Sequence, residues 1–270
     1  MITVDTIRWY LKEASTLGVK EFYFTGGEPF LHPQIVDIIK ETLNFGTTTI
    51  LSNGTLITQK VAQEFNQIAR ISKYKLEFRI SLDSPVEAEN DQIRGHGSFQ
   101  RTVNGIRSLL HAGFNPIITT TDWSKYGKFV QEIDAGFRSL ACSLSATQLR
   151  LKILPLVLTG RCAELIRPYH EDERVTEKCF DNFDINSLQC ATSRIVTSKG
   201  VFVCPILIND TKAWMGWTLK ESLKPYTMES HACYTCRTFG LTCKNDDSVS
   251  YETRLSQNDE EVKVIEKENV

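Results

Sequence analysis

The sequence predicts an α/β fold: parallel strands alternating with helices over residues 1–155, then a small cysteine-bearing module. Three observations predict it. Apolar periodicity switches repeatedly between helical and extended spacing, the connections between the segments are short, and five of the eight cysteines crowd into the last third of the chain. Hydrophobic residues make up 41% and charged residues 24%, which is globular and excludes a fibrous or wholly disordered chain. With 31 basic against 33 acidic residues, the net charge of -2 gives no electrostatic reason for a nucleic-acid or membrane partner. No apolar run reaches the length of a membrane span and no secretory leader is legible, so the expected location is cytoplasmic.

The elements follow in order. Ile7, Tyr10, Leu11, Ala14 and Leu17 share a helical face that Gly18 ends, and Glu21 to Thr25 is a short strand. After a Gly-Gly-Glu-Pro turn, Ile35, Ile38, Ile39 and Leu43 form a second helical face, and Thr47 to Leu51 is a β-branched strand. Thr58 caps a helix carrying Val61, Ala62, Phe65 and Ile68; Leu76, Phe78, Ile80 and Leu82 alternate along a strand. Ser98 opens a helix with Val103, Ile106 and Leu110, stopped by Gly113 before the strand Ile117 to Thr121. Phe129, Ile133 and Phe137 mark a fifth helix, and Leu149, Leu151 and Ile153 a last strand.

In parallel α/β folds functional residues gather at the C-terminal ends of strands. That rule puts Thr25 to Pro29, Ser52 to Gly54, Ser81 to Ser84 and Thr119 to Thr121 on one rim. Each segment alone is an ordinary turn, but four such segments, one with a glycine pair and a carboxylate, favour a shared ligand site.

The runs Phe24-Thr25-Gly26-Gly27-Glu28-Pro29-Phe30-Leu31-His32-Pro33, Ser52-Asn53-Gly54-Thr55-Leu56-Ile57, Arg79-Ile80-Ser81-Leu82-Asp83-Ser84 and Ile93-Arg94-Gly95-His96-Gly97-Ser98-Phe99 resemble, in order and spacing, the radical S-adenosylmethionine enzymes. The resemblance implies a partial (β/α)6 barrel over 1–155 that lacks its first strand. It implies S-adenosylmethionine as cofactor. Gly26 and Gly27 would let the backbone approach the methionyl amine, and Glu28 would accept from its ammonium group. Ser81 and Asp83 would take ribose hydroxyls or the methionyl end, and Arg94 its carboxylate, with Asp91 as the alternative partner of Arg94. Asn53 and Thr119 are weaker members of the same set. The activity implied is reductive cleavage of the cofactor to methionine and a 5′-deoxyadenosyl radical that abstracts hydrogen from a peptide or small-molecule substrate. The electron would come from a reductant such as flavodoxin or ferredoxin.

The same resemblance calls for CxxxCxxC to hold a 4Fe-4S cluster with one open iron. Consecutive cysteine gaps here are 20, 17, 11, 14, 29, 3 and 7, so that motif is absent. A missed upstream start or truncation, a degenerate family member, and a cluster supplied by another chain remain as explanations; the first is the expectation, because the rim keeps the cofactor pattern. A non-catalytic binding or scaffold protein is the alternative function.

Residues 156–186 read as a connecting segment and 187–243 as a second module with a hairpin, Ser193 to Thr197 and Val201 to Cys204. Cys190 and Cys204 flank that hairpin, and Cys233-Tyr-Thr-Cys236 is expected to be a CxxC turn. Four thiolates close a metal site, and spacing alone leaves iron-sulfur and zinc equal. The set resembles the SPASM or twitch extension of the family, which implies one auxiliary 4Fe-4S cluster on Cys190, Cys204, Cys233 and Cys236, with Cys243 ambiguous. Residues 244–270, with four basic and eight acidic side chains, read as a solvated, disordered tail.

Overall fold

The computed structural model describes residues 1–121, 130–146 and 150–239. Strands β1 (Glu21–Phe24), β2 (Thr47–Ser52), β3 (Leu76–Ser81), β4 (Ile117–Thr121) and β5 (Arg150–Leu154) form one parallel sheet in sequence order. Between and before them run α1 (Val4–Thr16), α2 (Ile35–Thr42), α3 (Gln59–Ile71), α4 (Glu87–Arg94), α5 (Ser98–His111) and α6 (Val130–Ser143). Parallel neighbours need a crossover, and these helices provide it.

Side chains alternate across the sheet. One face packs Ile50, Phe78, Ile80 and Ile118, with Leu151 and Ile153, against Ile39, Leu43, Phe65, Val103, Ile106, Leu109 and Phe137 of the helices. Phe65 meets Phe30 and Phe78 edge-on at 5.9 and 5.6 Å, and Phe78 meets Phe114 at 4.8 Å. The core therefore reaches from the bottom of the sheet to the turn after β1. The opposite face is mixed and largely polar: Tyr23, Thr49, Glu77, Arg79, Thr119, Arg150 and Lys152 lie on it by register, with Leu51, Ile117 and Leu154 among them. Glu77 and Arg79 are 8% and 3% exposed there.

Helix ends follow the sequence at Thr58, whose hydroxyl accepts from Val61 N–H. They follow it at α5 too, which begins at Ser98; Gly97, with φ +71°, takes the cap position, and the capping oxygens come from Asp91 of α4, which accepts from Gly97 N–H, Phe99 N–H and Ser98 Oγ. Those bonds, that from Phe99 first, hold the Asp91 carboxyl below the usual carboxylate range. Helix α4 itself is absent from the sequence reading because only Asn90 on it is buried, so it carries no apolar stripe.

The hairpin forms from β6 (Ile195–Thr197) and β7 (Gly200–Phe202), and β8 (Trp214–Gly216) joins as an unforeseen third strand. The chain divides differently from the expected modules: 1–156 with 193–227 make one compact unit, and 157–192 with the chain from 228 make the other. The reason is that α1 receives the small sheet. Tyr10 Oη donates to the Trp217 carbonyl at 2.6 Å, and the Glu13 carboxylate accepts from Leu219 and Lys220 N–H at 2.8 and 3.1 Å.

The second unit carries α7 (Arg161–Leu165), α8 (Gln189–Thr192) and α9 (Ala232–Phe239). Tyr169 Oη accepts from Leu158 N–H, shares a hydrogen bond with buried Thr235 of α9, and its ring stacks on His231 at 5.9 Å. Arg237 of α9 donates to the Cys179 carbonyl at 2.7 Å. The Arg167 guanidinium grips Glu173 through two hydrogen bonds and, with His170 N–H, holds its carboxyl down at about 2.

Helix α5 approaches the turn after β2 at Gly105, where a Cβ would stand 2.1 Å from the Gly54 carbonyl oxygen. Backbone cannot yield as a side-chain tip can. Gly105→Ala should lower stability by about 3 kcal/mol, read as a shift of the urea midpoint at unchanged slope. A change under about 0.5 kcal/mol would show that the contact is slack.

Candidate functional site

The rim is built from the ends of β1 to β4. After β1, Thr25, Gly26 and Gly27 are exposed, Gly26 has φ +142°, and a Cβ at either glycine would meet nothing within 4 Å. The turn thus presents bare backbone to open space, the condition for close approach of a ligand. Gly26 needs its glycine for conformation as well as for room.

Glu28 is not a solvated turn residue. Its Oε1 accepts from Phe30 N–H at 3.1 Å and from Ser52 Oγ at 2.8 Å, and its Oε2 accepts from Asn53 N–H at 2.8 Å. The carboxylate therefore fastens the turn after β1 to the turn after β2. Charge-assisted bonds of this kind are about twice as strong as neutral ones. Ser52, 3% exposed, passes the link on by accepting from Gly54 N–H at 2.9 Å. Asn53 closes a local turn: its Oδ1 accepts from Thr55 N–H and Thr55 Oγ1 at 2.8 and 2.7 Å, while Thr102 of α5 donates to its carbonyl at 2.8 Å.

Ser81 is half-buried at the end of β3. Asp83, two residues on, pairs with Arg94 of α4, Nε to Oδ2 at 2.6 Å, with side chains 9% and 28% exposed. Asp91 is therefore not the partner of Arg94; it is turned to the start of α5. The Asp83 backbone is fixed on both sides, its N–H donating to Asn90 Oδ1 at 3.1 Å and its carbonyl accepting from Thr120 Oγ1 at 3.1 Å. Asn90, with no exposed surface, also donates to Ser98 Oγ at 3.0 Å. Thr119 is 8% exposed and accepts from Arg79 Nε at 3.4 Å.

Sequence reasoning did not single out Asn90, and it gave Ser52 and Asp91 other roles than the links to Glu28 and to the start of α5 that they make. The signal of Asn90 is faint: it is a small polar residue in a polar stretch, and only its tertiary partners give it meaning. The rim offers an exposed backbone turn after β1 and an opposite-charge pair after β3. That pair can match an ammonium and a carboxylate on one molecule, as an amino-acid group carries them. The residues present fit S-adenosylmethionine on these grounds.

Cys190 and Cys204 flank the hairpin as expected, whereas the CxxC pair is placed otherwise. Cys233 and Cys236 lie not on a turn but on α9, three residues apart on one helical face; Cys233 is buried and Cys236 half-buried. Cys190 lies on α8, and Cys204 follows β7 in the first unit, so the paired register from Ile195 to Phe202 includes neither. Among the described residues no three Cys, His, Asp or Glu side chains converge to hold a metal ion. Cys243 and residues 244–270 lie outside the described residues. Of the scattered thiols, Cys179 is drawn below its ordinary pKa by hydrogen bonds from the Thr176 hydroxyl and N–H, and burial pushes Cys162 up. Trp214 and Trp217 are 37% and 60% exposed and meet edge-on at 5.9 Å. No helix among the described residues is long and apolar enough to cross a membrane.

The chain is 30% identical over 164 residues to an AdoMet-dependent heme synthase of Methanosarcina barkeri, covering 59% of this chain and 43% of that protein. It is 33% identical over 107 residues to a GTP 3',8-cyclase of Microcystis aeruginosa, covering 37% and 31%. It thus spans less than half the length of these relatives. Its fold resembles that of anSMEcpe with bound AdoMet, at a TM-score of 0.59 and 15% identity over 83% of this chain and 69% of that one. It also resembles Streptococcus suis SuiB bound to S-adenosylmethionine, at 0.53 and 14% over 78% and 54%. Residues 1–123, which hold the turn after β1, the paired Asp83 and Arg94, and Thr119, match the model of the radical SAM superfamily.

Proposed function

We propose that this chain is the cofactor- and substrate-holding part of a radical S-adenosylmethionine enzyme of the oxidoreductase or peptide-modifying type. The observation that carries this reading is the rim itself, an open Gly26–Gly27 turn facing solvent together with the Asp83–Arg94 pair. Bound S-adenosylmethionine supplies the family with hydrogen abstraction from unactivated carbon. Asp83 and Arg94 would exchange each other for the ammonium and carboxylate of the methionyl end, Ser81 would meet a hydroxyl, and Asn53 and Thr119 would brace the turns around it. Glu28 would hold the first two turns in register through Phe30, Ser52 and Asn53, and its Oε2, which accepts one bond from Asn53, would also accept from the methionyl ammonium group. No CxxxCxxC is present in this sequence, so holding the cofactor, rather than cleaving it, is the property to test on this chain. A peptide substrate draws support from anSMEcpe, whose fold this chain shares and whose structure contains a Kp18Cys peptide beside AdoMet. A flavodoxin- or ferredoxin-like electron donor belongs to the same reading.

Calorimetric titration of the chain with S-adenosylmethionine should show one site. Asp83→Asn and Arg94→Gln should each weaken it by about tenfold or more, as for loss of a charge-assisted hydrogen bond. Absence of binding, or binding unaltered in both variants, would sink the assignment. Glu28→Gln keeps the shape but turns a donor toward a donor. It should cost about 2 kcal/mol of stability and expose the Asn53 amide to hydrogen exchange.

We further propose that the C-terminal cysteines bind a metal centre, with Cys233 and Cys236 as its nucleus. Two thiols one helical turn apart support that nucleus; the sequence spacing alone nominates Cys190, Cys204 and Cys243, and an auxiliary 4Fe-4S cluster is the form the resemblance favours. Anaerobic reconstitution with iron and sulfide, followed by metal analysis, should give stoichiometric iron that Cys233→Ser and Cys236→Ser each abolish. Zinc alone would replace the cluster with a structural site, and no metal at all would end the proposal.

A further inference from the structure

The sequence contains two Asn-Gly pairs, Asn53–Gly54 and Asn104–Gly105. The fold demands the glycine of each. Gly54 has φ +76°, and a Cβ there would meet Ile80 Cγ2 at 3.0 Å and Thr102 Cγ2 at 3.3 Å; a Cβ at Gly105 would stand 2.1 Å from the Gly54 carbonyl oxygen. An asparagine before glycine is open to deamidation, because no side chain obstructs the nitrogen that follows it. At the first pair the Gly54 nitrogen, its proton lost to hydroxide, would attack Asn53 Cγ. A new C–N bond forms, the C–N bond to the side-chain amide breaks, and ammonia leaves with a proton taken from water. Water then opens the resulting succinimide at either carbonyl, giving aspartate or isoaspartate.

Ring closure requires the Asn53 side chain to swing its Cγ over the Gly54 nitrogen and the peptide plane between the two residues to turn. The structure opposes both motions. Asn53 Oδ1 is held by Thr55 N–H and Thr55 Oγ1 at 2.8 and 2.7 Å, and the Asn53 carbonyl by Thr102 Oγ1 at 2.8 Å. At the other end of the same peptide plane Gly54 N–H donates to Ser52 Oγ at 2.9 Å. Ser52 is aimed in turn, because its own hydroxyl donates to Glu28 Oε1 at 2.8 Å. Asn104 lies inside α5, where the helix itself holds the backbone, and its Oδ1 accepts from Arg107 Nη1 at 2.6 Å.

We propose that Asn53–Gly54 is a latent deamidation site, kept closed in the folded chain by the Glu28–Ser52–Gly54 hydrogen-bond relay and by the Thr55 hold on the Asn53 side chain. Opening the relay exposes the rim to a covalent change. Either product puts a carboxylate on residue 53, whose N–H Glu28 Oε2 accepts at 2.8 Å, and isoaspartate also lengthens the backbone of the turn. The inference does not depend on which ligand the rim holds.

The test incubates the full chain in mildly alkaline buffer and follows aspartate and isoaspartate at residues 53 and 104 by proteolysis and mass spectrometry, with isoaspartyl methyltransferase labelling. In wild type, residue 53 should react about tenfold or more slowly than in the same chain unfolded in guanidinium chloride. Ser52→Ala should raise the rate at 53 about five- to tenfold, as for loss of one hydrogen bond, and leave that at 104 unchanged. Thr55 is half-buried, so Thr55→Val, which should speed 53 in the same selective way, carries the test if Ser52→Ala does not fold. A rise confined to 53 shows local opening of the turn and supports the proposal. Equal rises at 53 and 104, no rise at 53 in the variants that fold, or a wild-type rate at 53 equal to that of the unfolded chain overturns it.

Discussion

The arrangement of the rim depends on one carboxylate. Glu28 gathers donors from two different strand ends, and through Ser52 the link continues to Gly54, which Gly105 of α5 approaches too closely to admit a Cβ. A turn containing two glycines has little stiffness of its own, so its position must be imposed by something outside it. Here the imposed constraint is an anion at the turn's last residue, bonded to backbone and hydroxyl donors rather than to a mobile cation. The exposed backbone of Gly26 and Gly27 can stay open because the following residue is fixed.

A second layer of constraint lies on the far side of the rim. Asn90 and Asp91, adjacent on α4, serve opposite neighbours: Asn90 fixes the Asp83 backbone, and Asp91 caps α5. Helix α4 is thus polar because its work is polar. Its hydrogen bonds are the reason for its existence as a helix, where the other helices of the unit owe theirs to an apolar face. Arg94, at its last turn, is delivered to Asp83 by that geometry.

The strands of the parallel sheet, five of the helices around it and the rim positions were legible because they obey local periodicities of two and 3.6 residues. Ile50, Phe78 and Ile118 announce a buried strand face, and Thr58 announces a helix start, without knowledge of anything distant. What the sequence hid is what depends on distant partners. The roles of Glu28, Asp83 and Arg94 as mutual or inter-strand partners are invisible until the turns are brought together. The CxxC segment was read as a turn because its two cysteines suggest one, whereas Ala232 to Phe239 is a helix that buries Ala232, Cys233 and Thr235. The module boundary failed for the same reason: Tyr10 and Glu13 lie far from the small sheet in sequence, and nothing local declares that they hold it.

That last contact has a consequence in time. Glu13 finds its partners Leu219 and Lys220 more than 200 residues later, at separations of 206 and 207. At the ribosomal pace of about 5–20 residues per second, roughly 10 to 40 s separate the emergence of α1 from that of the segment it anchors. During that interval the parallel sheet can assemble from contacts between consecutive strands, while Tyr10 and Glu13 remain hydrated. The small sheet is thus the last part of its unit to dock, onto a helix that waits on the nascent chain.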